Sequence, residues 1–334
     1  MKKLYFTNNN NYIIFKYNII IIFLIILTII NYIIYNSNSK NKRVPFSYDN
    51  DFVIFIKNYT STAGLFALYY LYLGCIHKYL IKGYIPLIDL SSHPNVYNSY
   101  NITTFDKNPW ELFFQQPFGY SLDNVKKYGK NIEYVICKID DYSKWPNTRI
   151  YSNTILMNFW NNIARKFSPI KEKIIKEAND KRINLFKGSN NVLGVLIRGT
   201  DYVARRPKGH PKQPTCEMVF IDIKYMDMKN KYDWIFIATE DDLIRDKFIK
   251  EFGTKLRFFK SNIKIEYDYN AKQYINLNNN LKGNIEFFKI YLINIIILSK
   301  CLDIICSRTG GSLGAFILTQ GFRNKKVYFL GVYE

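Results

Sequence analysis

The 334-residue chain carries 47 Lys and Arg residues against 27 Asp and Glu, a formal net charge of +20 at pH 7. Its length gives room for two domains with separate cores, and its 48% hydrophobic residues exclude a disordered or collagen-like protein. The charge does not by itself indicate a nucleic-acid partner, and we expect none. Lys outnumbers Arg roughly three to one, the lysines are scattered along the chain, and no known nucleic-acid-binding motif accompanies them.

An apolar run near the N-terminus is the first predicted element. Residues 19–35 are apolar except for Thr28 and Asn31. As a helix, a run of this length spans about 26 Å, close to the hydrocarbon core of a bilayer, which is about 30 Å thick. We therefore predict a short N-terminal tail (residues 1–17), a transmembrane signal-anchor (residues 18–35) and a linker (residues 36–50).

The side of the membrane on which the body lies is left open by the sequence. Basic residues flank the apolar run at both ends, so their charges do not orient it. Two glycosylation sequons, at residues 58–60 and 101–103, fit a lumenal body in an endomembrane compartment, although such triplets are frequent in an Asn-rich chain. The alternative to an anchor is a cleaved signal peptide, since Ser37 and Ser39 supply small residues after the run.

A strand-helix-strand unit follows the linker. Residues 52–56 predict a short buried strand, residues 65–80 an apolar helix and residues 84–90 a second strand. The composition changes again near Gly188, after a stretch with helical spacing at residues 154–181. We therefore predict a first Rossmann-like domain at residues 51–188 and a second at residues 189–334.

The aromatic segment at residues 108–120 is framed by Pro109, Pro117 and Gly119. Aromatic and carboxylate side chains together are suited to a sugar, so Trp110 and Glu111 are candidate acceptor-binding residues. An ordinary packed loop is the alternative interpretation of the same segment.

Three apolar runs in the second half of the chain each end in a polar cluster. Residues 192–197, 234–238 and 302–306 are typical of parallel strands covered on both faces, and helical segments at residues 242–252 and 285–300 separate them. Ligands of such sheets lie beyond the carboxyl ends of the strands. The sequence therefore predicts one binding site built by the three clusters, which are Arg198-Gly199-Thr200-Asp201, Thr239-Glu240-Asp241-Asp242 and Ser307-Arg308-Thr309-Gly310-Gly311-Ser312.

The residue types of these clusters indicate a nucleotide diphosphate. Arg198 offers a planar fork of donors for a phosphate, and the glycine-rich turn leads into a helix whose N-terminus attracts anions. A carboxylate at Glu240 or Asp241 could accept paired hydrogen bonds from guanine. Each feature has a structural alternative: an ion pair between Arg198 and Asp201, a capping box of Thr239 with Asp242, and a tight strand-to-helix turn without a ligand.

The motifs and their spacing resemble the donor half of the GT-B fucosyltransferases, nearest to the α-1,6-fucosyltransferase and nodulation fucosyltransferase group, with relatives among the α-1,2 and protein O-fucosyltransferases. The resemblance covers about residues 192–331 and rests on the arginine motif, residues 208–211 (Lys-Gly-His-Pro), residues 237–241 and residues 298–303 with the glycine-rich turn. It implies a GT-B-like α/β fold with two Rossmann-like domains and parallel sheets. It also implies inverting transfer of fucose from GDP-fucose to a glycan or glycoconjugate acceptor, without a metal or other cofactor.

The resemblance also implies roles for individual residues. Arg198 corresponds to the arginine that stabilises the leaving GDP, and Asp201 to the acid that braces its loop. The predicted donor-binding residues are Arg198, His210, Glu240, Asp241, Ser307, Arg308, Thr309, Gly310, Gly311 and Ser312.

Two departures from the family pattern concern catalysis. Gly199 stands where the α-1,6 enzymes carry a second arginine, and Arg206 stands where they carry a glutamate that is a candidate general base. The base is therefore unassigned, with Asp201, Glu111, His210 and the acceptor's own environment as candidates. For His210, the alternative is a loop histidine beside Pro211 whose hydrogen bonds are satisfied within the protein. The alternative function is a non-catalytic relative that binds a GDP-sugar or a glycan and has lost its base.

Metal ligands and disulfide bonds are not indicated by the sequence. The acidic triplet at residues 49–51 has the spacing of a metal-binding motif, but it precedes the first strand, so we interpret it as a solvated turn. The five cysteines lie in apolar or helical contexts and predict buried free thiols, with a bond between Cys301 and Cys306 as the alternative in a lumenal compartment. The other three are Cys75, Cys137 and Cys216.

Overall fold

The structure is a computed structural model that describes residues 47–58, 63–92, 95–97, 108–140, 144–259, 267 and 284–334. The predicted anchor at residues 18–35 lies outside the described residues, as does all or part of each sequon. Within the described ranges, no helix is long and apolar enough to span a bilayer.

The first sheet is parallel and has the strand order β2-β1-β3. Its strands are β1 (Asp51–Asn58), β2 (Ile85–Ile88) and β3 (Asn131–Cys137), and helix α1 (Leu65–Ile81) connects the first two. The side chains from Phe52 to Phe55 are fully buried, as expected of an apolar strand covered on both faces. The predicted strand-helix-strand unit is confirmed.

Short helices and two longer ones follow this unit. They are α2 (Trp110–Phe113), α3 (Leu122–Tyr128), α4 (Thr154–Phe167) and α5 (Glu172–Phe186), with 3-10 turns at Pro117–Gly119 and Thr148–Tyr151. The helical stretch expected at residues 154–181 is two helices rather than one. Pro169 explains the break, because proline disfavours helical backbone at the residue before it, and Ser168 ends α4 with a non-helical ψ of 55°.

The second sheet is also parallel, with the strand order β6-β5-β4-β7-β8. Its strands are β4 (Val192–Leu196), β5 (Trp234–Ala238), β6 (Leu256–Arg257), β7 (Asp303–Ser307) and β8 (Lys325–Tyr328). Its helices are α6 (Thr200–Ala204), α7 (Cys216–Asn230), α8 (Asp242–Phe252), α9 (Ile285–Leu298) and α10 (Gly310–Leu318), with a 3-10 turn at Gly253–Lys255.

The order of the second sheet creates a topological switch point between β4 and β7. From β4 the chain adds β5 and β6 on one side, then returns to add β7 and β8 on the other. In Rossmann-type sheets a crevice opens at this point beyond the carboxyl ends of the strands, and ligands bind there. The α/β fold with parallel sheets is thus confirmed.

Side chains from both sheets share one hydrophobic cluster, to which β1 contributes Val53 and Phe55 and β7 contributes Ile304. Residues 48–334 form one compact unit. The division of this unit at residue 188 stays a prediction.

The cysteines depart in part from the expectation of free thiols. Cys75 on α1 and Cys137 at the end of β3 form a disulfide bond, with a Cα–Cα distance of 6.0 Å. Cys216, Cys301 and Cys306 are buried free thiols, so the alternative bond between the last two is absent. The sequence did not reveal the pair because its members are 62 residues apart and only the packing of α1 on the sheet brings them together.

Candidate functional site

The three polar clusters lie at the carboxyl ends of three adjacent strands. β4 pairs with β5 on one side and with β7 on the other, so Arg198, Glu240 and Ser307 follow neighbouring strands at the same edge of the sheet. The structure therefore brings together the clusters that the sequence placed at strand ends. Arg198 lies on one side of the switch point and the glycine-rich turn on the other.

Arg198 is enclosed by acidic and aromatic groups. Its Nη2 donates to Asp201 Oδ1 at 2.8 Å, and its guanidinium lies 5.0 Å from the centre of the Tyr202 ring. Its Nε lies 3.2 Å from Glu240 Oε1 without hydrogen-bonding geometry, which leaves this buried N–H without a hydrogen bond. Burial opposes the charged form, but Glu240 and Asp201 outweigh it and hold the pKa of Arg198 above its ordinary value.

Glu240 braces the loop that carries Arg198. Its Oε1 accepts hydrogen bonds from Gly199 N at 3.2 Å and from Thr200 Oγ1 at 2.9 Å. Burial raises the pKa of this carboxyl, against the lowering effect of Arg198. The predicted contact of Glu240 with guanine stays a prediction. In the structure the carboxylate accepts hydrogen bonds from Gly199 and Thr200 of the same chain.

Asp241 has a structural role at the start of α8. Its Oδ1 accepts from Leu243 N at 2.9 Å and from Ile244 N at 3.2 Å, which makes it the N-cap residue. The capping box expected from Thr239 and Asp242 is therefore wrong. Its Oδ2 accepts from Thr200 N at 2.9 Å, so one carboxylate joins the end of β4 to the start of α8.

Gly199 is required by this close approach. A Cβ atom built at Gly199 would lie 2.6 Å from both Cβ and Cγ of Asp241, far inside contact distance. The arginine expected at this position from the family pattern has no space here unless Asp241 moves.

Thr200 holds a strained backbone conformation beside Arg198. Its φ of 36° is in the left-handed region, which β-branched residues rarely adopt. Hydrogen bonds from its backbone N–H and its hydroxyl to Asp241 and Glu240 hold it there. The strained residue therefore fixes the direction in which the chain leaves β4.

The glycine-rich turn begins helix α10 with a full capping box. Thr309 Oγ1 accepts from Ser312 N at 3.2 Å, and Ser312 Oγ accepts from Thr309 N at 2.8 Å. Ser312 Oγ also lies 2.8 Å from the hydroxyl of Tyr151, so this side chain holds the turn together from within. A Cβ atom at Gly311 would lie 2.6 Å from the hydroxyl of Tyr291, which explains the glycine.

The other predicted donor-binding residues lie around this edge. Ser307 is buried and its hydroxyl donates to Gln213 Oε1 at 2.5 Å. Arg308 Nη2 donates to Gly331 O at 3.3 Å, and its guanidinium stacks 5.1 Å from the ring centre of Phe329. Which of them contact a donor stays a prediction.

His210 packs edge-on against the ring of Tyr202, at 5.4 Å between ring centres. The ring of Tyr202 also packs against the guanidinium of Arg198, so Tyr202 contacts both residues. Burial lowers the pKa of His210, so its imidazole is neutral near pH 7 and able to accept a proton.

The two predicted acceptor residues lie at different places. Trp110 is 1% exposed and packs against the rings of Tyr69, Tyr72 and Phe114, so it belongs to the core and not to a sugar cleft. Glu111 is partly exposed, and its Oε1 accepts from Gln116 Nε2 at 3.0 Å. The aromatic residue that suggested a sugar cleft at Trp110 is explained by core packing.

Three tyrosines of this edge were not singled out in the sequence. Tyr202 stacks on Arg198, Tyr291 from α9 faces Gly311, and Tyr151 bonds to the turn of α10. Tyr202 directly follows Asp201 of the arginine motif, so its position in the sequence indicates that it lies near the site. The other two come from distant segments, so only tertiary structure places them here.

The part of the chain that the structure describes contains no cluster of three or more His, Cys, Asp or Glu residues that could hold a metal ion. In the acidic triplet, Asp49 forms an ion pair with Lys130 at 2.6 Å.

No protein-family model matches the chain, and no curated protein matches it. Solved structures of fucosyltransferases are similar in fold. NodZ α-1,6-fucosyltransferase soaked with GDP-fucose is 14% identical, with a TM-score of 0.44 over 81% of this chain and 93% of that one. NodZ from Bradyrhizobium is 13% identical, with a TM-score of 0.45 over 81% and 94%. POFUT1 in complex with GDP-fucose is 10% identical, with a TM-score of 0.42 over 86% and 99%.

Proposed function

We propose that the chain binds a GDP-sugar at the β4-β7 switch point and transfers the sugar, fucose in the first instance, to a glycan acceptor with inversion and without a metal. The observation that carries this proposal is the position of Arg198 and the N-terminus of α10 on the two sides of one Rossmann-type crevice. The family resemblance of the motifs supports the same ligand. Attachment to a membrane through residues 18–35 is part of the proposal.

The crevice offers two kinds of anion-binding group. The first turn of α10 presents backbone N–H groups that have no partner within the helix, and the helix dipole adds partial positive charge. Arg198 adds a full positive charge and a buried Nε–H that makes no hydrogen bond. A pyrophosphate between them would gain charge-assisted hydrogen bonds from both sides.

Removal of the Arg198 side chain tests the proposal directly. Because a hydrogen bond to a charged group contributes about 1.5–3 kcal/mol, we expect Arg198→Ala to weaken GDP binding by the full chain about tenfold or more. Isothermal titration calorimetry with GDP measures the change. Arg165→Ala, which removes an exposed arginine on α4, is the matched control and should bind GDP as the unmodified chain does. Absence of GDP binding by the unmodified chain, or equal binding by the Arg198→Ala variant, would contradict the proposal.

The carboxylates around Arg198 make phosphate binding dependent on protonation. Glu240 and Asp201 compete with a phosphate for the same guanidinium, and an anion near Glu240 favours its protonated form. The charged and titratable groups around Glu240 are Arg198, Asp201, Tyr202 and Tyr291. Burial already raises the pKa of Glu240, which favours the protonated form in the same direction.

We therefore expect Glu240→Gln to bind GDP about threefold to tenfold more tightly than the unmodified chain at neutral pH. The amide keeps an oxygen acceptor for Gly199 N and Thr200 Oγ1 but removes the competing charge. The unmodified chain should gain affinity as the pH falls toward the raised pKa of Glu240, and the variant should gain less. Protonation of the GDP phosphates affects binding to both proteins equally. Identical dependence of GDP affinity on pH in the unmodified chain and in the variant would therefore contradict the role of Glu240.

A non-catalytic GDP-sugar-binding protein is the second candidate function, and the state of the possible bases favours it. Asp201 is bound to Arg198, Glu111 to Gln116, and Arg206 is exposed at the position of the family's glutamate. His210 remains as a neutral imidazole near Arg198. An assay of GDP-fucose hydrolysis by the full chain separates the two functions, because a binding protein retains GDP-fucose without releasing fucose.

A further inference from the structure

A basic segment lies next to the candidate site, where its His210 packs on Tyr202, the ring that contacts Arg198. Residues 202–216 contain no Asp or Glu, although they connect α6 to α7 beside Arg198. We call the cations of this segment, together with the neighbouring Arg308, the cationic rim. Its members are Arg205, Arg206, Lys208, Lys212 and Arg308.

The C-terminal tail holds the rim in place. Gly209 N donates to Tyr333 O at 2.8 Å, Lys212 N donates to Gly331 O at 3.1 Å, and Tyr333 N donates to His210 O at 2.9 Å. Arg308 Nη2 donates to the same Gly331 carbonyl as Lys212 N, so Arg308 lies beside the segment. The rim is therefore an ordered surface at the edge of the sheet where α10 begins.

Three of the five rim cations have no acidic partner among the described residues. Many basic side chains of the body, such as Lys126, Lys255 and Arg323, form ion pairs with Asp residues. In contrast, Arg206, Lys208 and Lys212 are exposed and form no ion pair with any residue that the structure describes. Like charges held close together repel one another, and an anionic ligand would relieve that repulsion.

An exposed aromatic ring lies beside Arg308, one of the rim cations. Phe329 is 59% exposed and packs against the guanidinium of Arg308. Aromatic faces pack against the C–H groups of sugars, so an aromatic ring next to several cations suits a sugar that carries acidic groups. The rim lies beside the strand ends at which the donor is proposed to bind, because Arg308 directly follows β7 and His210 of the segment packs on Tyr202, which contacts Arg198.

We propose that the cationic rim binds the acceptor, and that this acceptor is an anionic saccharide bearing sulfate or carboxylate groups. The position assigned to the acceptor rests on the proposed GDP-sugar site, whereas the binding of an anionic saccharide can be measured without it. A nucleic acid is a less suitable ligand, because the rim is a short patch of five cations, whereas a nucleic-acid backbone is followed by a longer basic surface.

Binding of defined oligosaccharides to the full chain tests this proposal. The probes are a heparin-derived octasaccharide, which carries sulfates and carboxylates, an octagalacturonate, which carries carboxylates alone, and uncharged malto-octaose. The variant Arg206→Gln, Lys208→Gln, Lys212→Gln removes three rim charges. The matched control Lys173→Gln, Lys176→Gln, Lys250→Gln removes three exposed charges from α5 and α8.

We expect at least one charged octasaccharide to bind, and the rim variant to weaken that binding by about tenfold, against less than about threefold for the control. The charged probe that binds more tightly identifies sulfate or carboxylate as the preferred group. Equal weakening by both variants, stronger binding of malto-octaose, or tighter binding of a uridine octanucleotide than of either charged saccharide would overturn the proposal. GDP titrated into the unmodified chain reports separately on the proposed function, so failure of one is distinguishable from failure of the other.

Discussion

Asp303→Ala should lower the free energy of unfolding by about 3 kcal/mol, because it removes the common acceptor of a buried hydrogen-bond network. The Asp303 side chain is fully buried at the start of β7. It accepts from Asn324 N at 2.7 Å, from Arg323 Nη2 at 2.5 Å and from the hydroxyl of Tyr232. Without the carboxylate, the buried Tyr232 hydroxyl and the Asn324 N–H lose their partner, whereas the partly exposed Arg323 can turn to water.

Urea denaturation of the unmodified chain and the variant, monitored by circular dichroism, measures this loss. Asp222→Ala is the control, since that aspartate is more exposed and its partner, the Tyr328 hydroxyl, keeps Met218 O as a second acceptor at 3.3 Å, so the substitution should cost clearly less. Equal losses in the two variants would show that the network around Asp303 does not stabilise the fold more than the partly exposed Asp222 does.

The contribution of Asp303 should also depend on pH. Burial would raise the pKa of this carboxyl, but hydrogen bonds from Arg323, Tyr232 and Asn324 outweigh burial and hold it below the ordinary value. A lowered folded-state pKa adds stability that is present above the unfolded pKa of about 3.9 and is lost as the pH falls through the folded pKa. The difference in stability between the unmodified chain and Asp303→Asn should therefore shrink in strong acid.

Gly199→Ala should disrupt both the start of α8 and the loop that carries Arg198. The added Cβ would lie 2.6 Å from Cβ and Cγ of Asp241, and steric crowding of this kind costs about 1–3 kcal/mol. Displacement of Asp241 would also remove its N-cap hydrogen bonds, at a further cost of about 0.5–2 kcal/mol. We expect a lower midpoint of thermal unfolding and, because Thr200 loses its bond to Asp241, weaker GDP binding.

Gly64→Ala provides the matched control for this prediction. Gly64 has no atom within 4 Å of an added Cβ and an ordinary φ of −68°, so its replacement should leave stability nearly unchanged. Thermal unfolding and GDP titration of both variants distinguish the effects. A Gly199→Ala variant as stable as Gly64→Ala, with unchanged GDP binding, would show that Asp241 can move away from residue 199 without loss of stability or of GDP affinity.

The apolar runs of the second half predicted strands and helices accurately. Residues 234–238 and 242–252 were expected as a strand and a helix with these limits, and β5 and α8 have them. Strands buried on both faces are continuous apolar runs, and Gly253 ends α8 with a positive φ, so both signals are local. Local signals of this kind do not report which strands are neighbours.

The cysteine pair and the aromatic segment show where pattern analysis failed. Trp110 was interpreted as a candidate cleft residue, yet it is stacked in the core, because a loop rich in aromatic residues can supply either environment. Cys75 lies on helix α1 and Cys137 at the end of strand β3, and their bond depends on how α1 packs against β3. Both outcomes are determined by contacts between segments that are distant in sequence.

The sequence by itself determined that Arg198, the acidic pair and the glycine-rich turn follow buried strands, because a continuous apolar run with a polar end is a local property. Only the tertiary structure decided that β4 lies between β5 and β7, which places those ends side by side at one edge of the sheet. It also decided that Glu240 and Asp241 brace the Arg198 loop, since the approach of Asp241 to Gly199 arises from the pairing of β4 with β5. Strand order and the contacts that side chains make with distant segments depend on long-range packing, and the preferences of single residues carry no information about that packing.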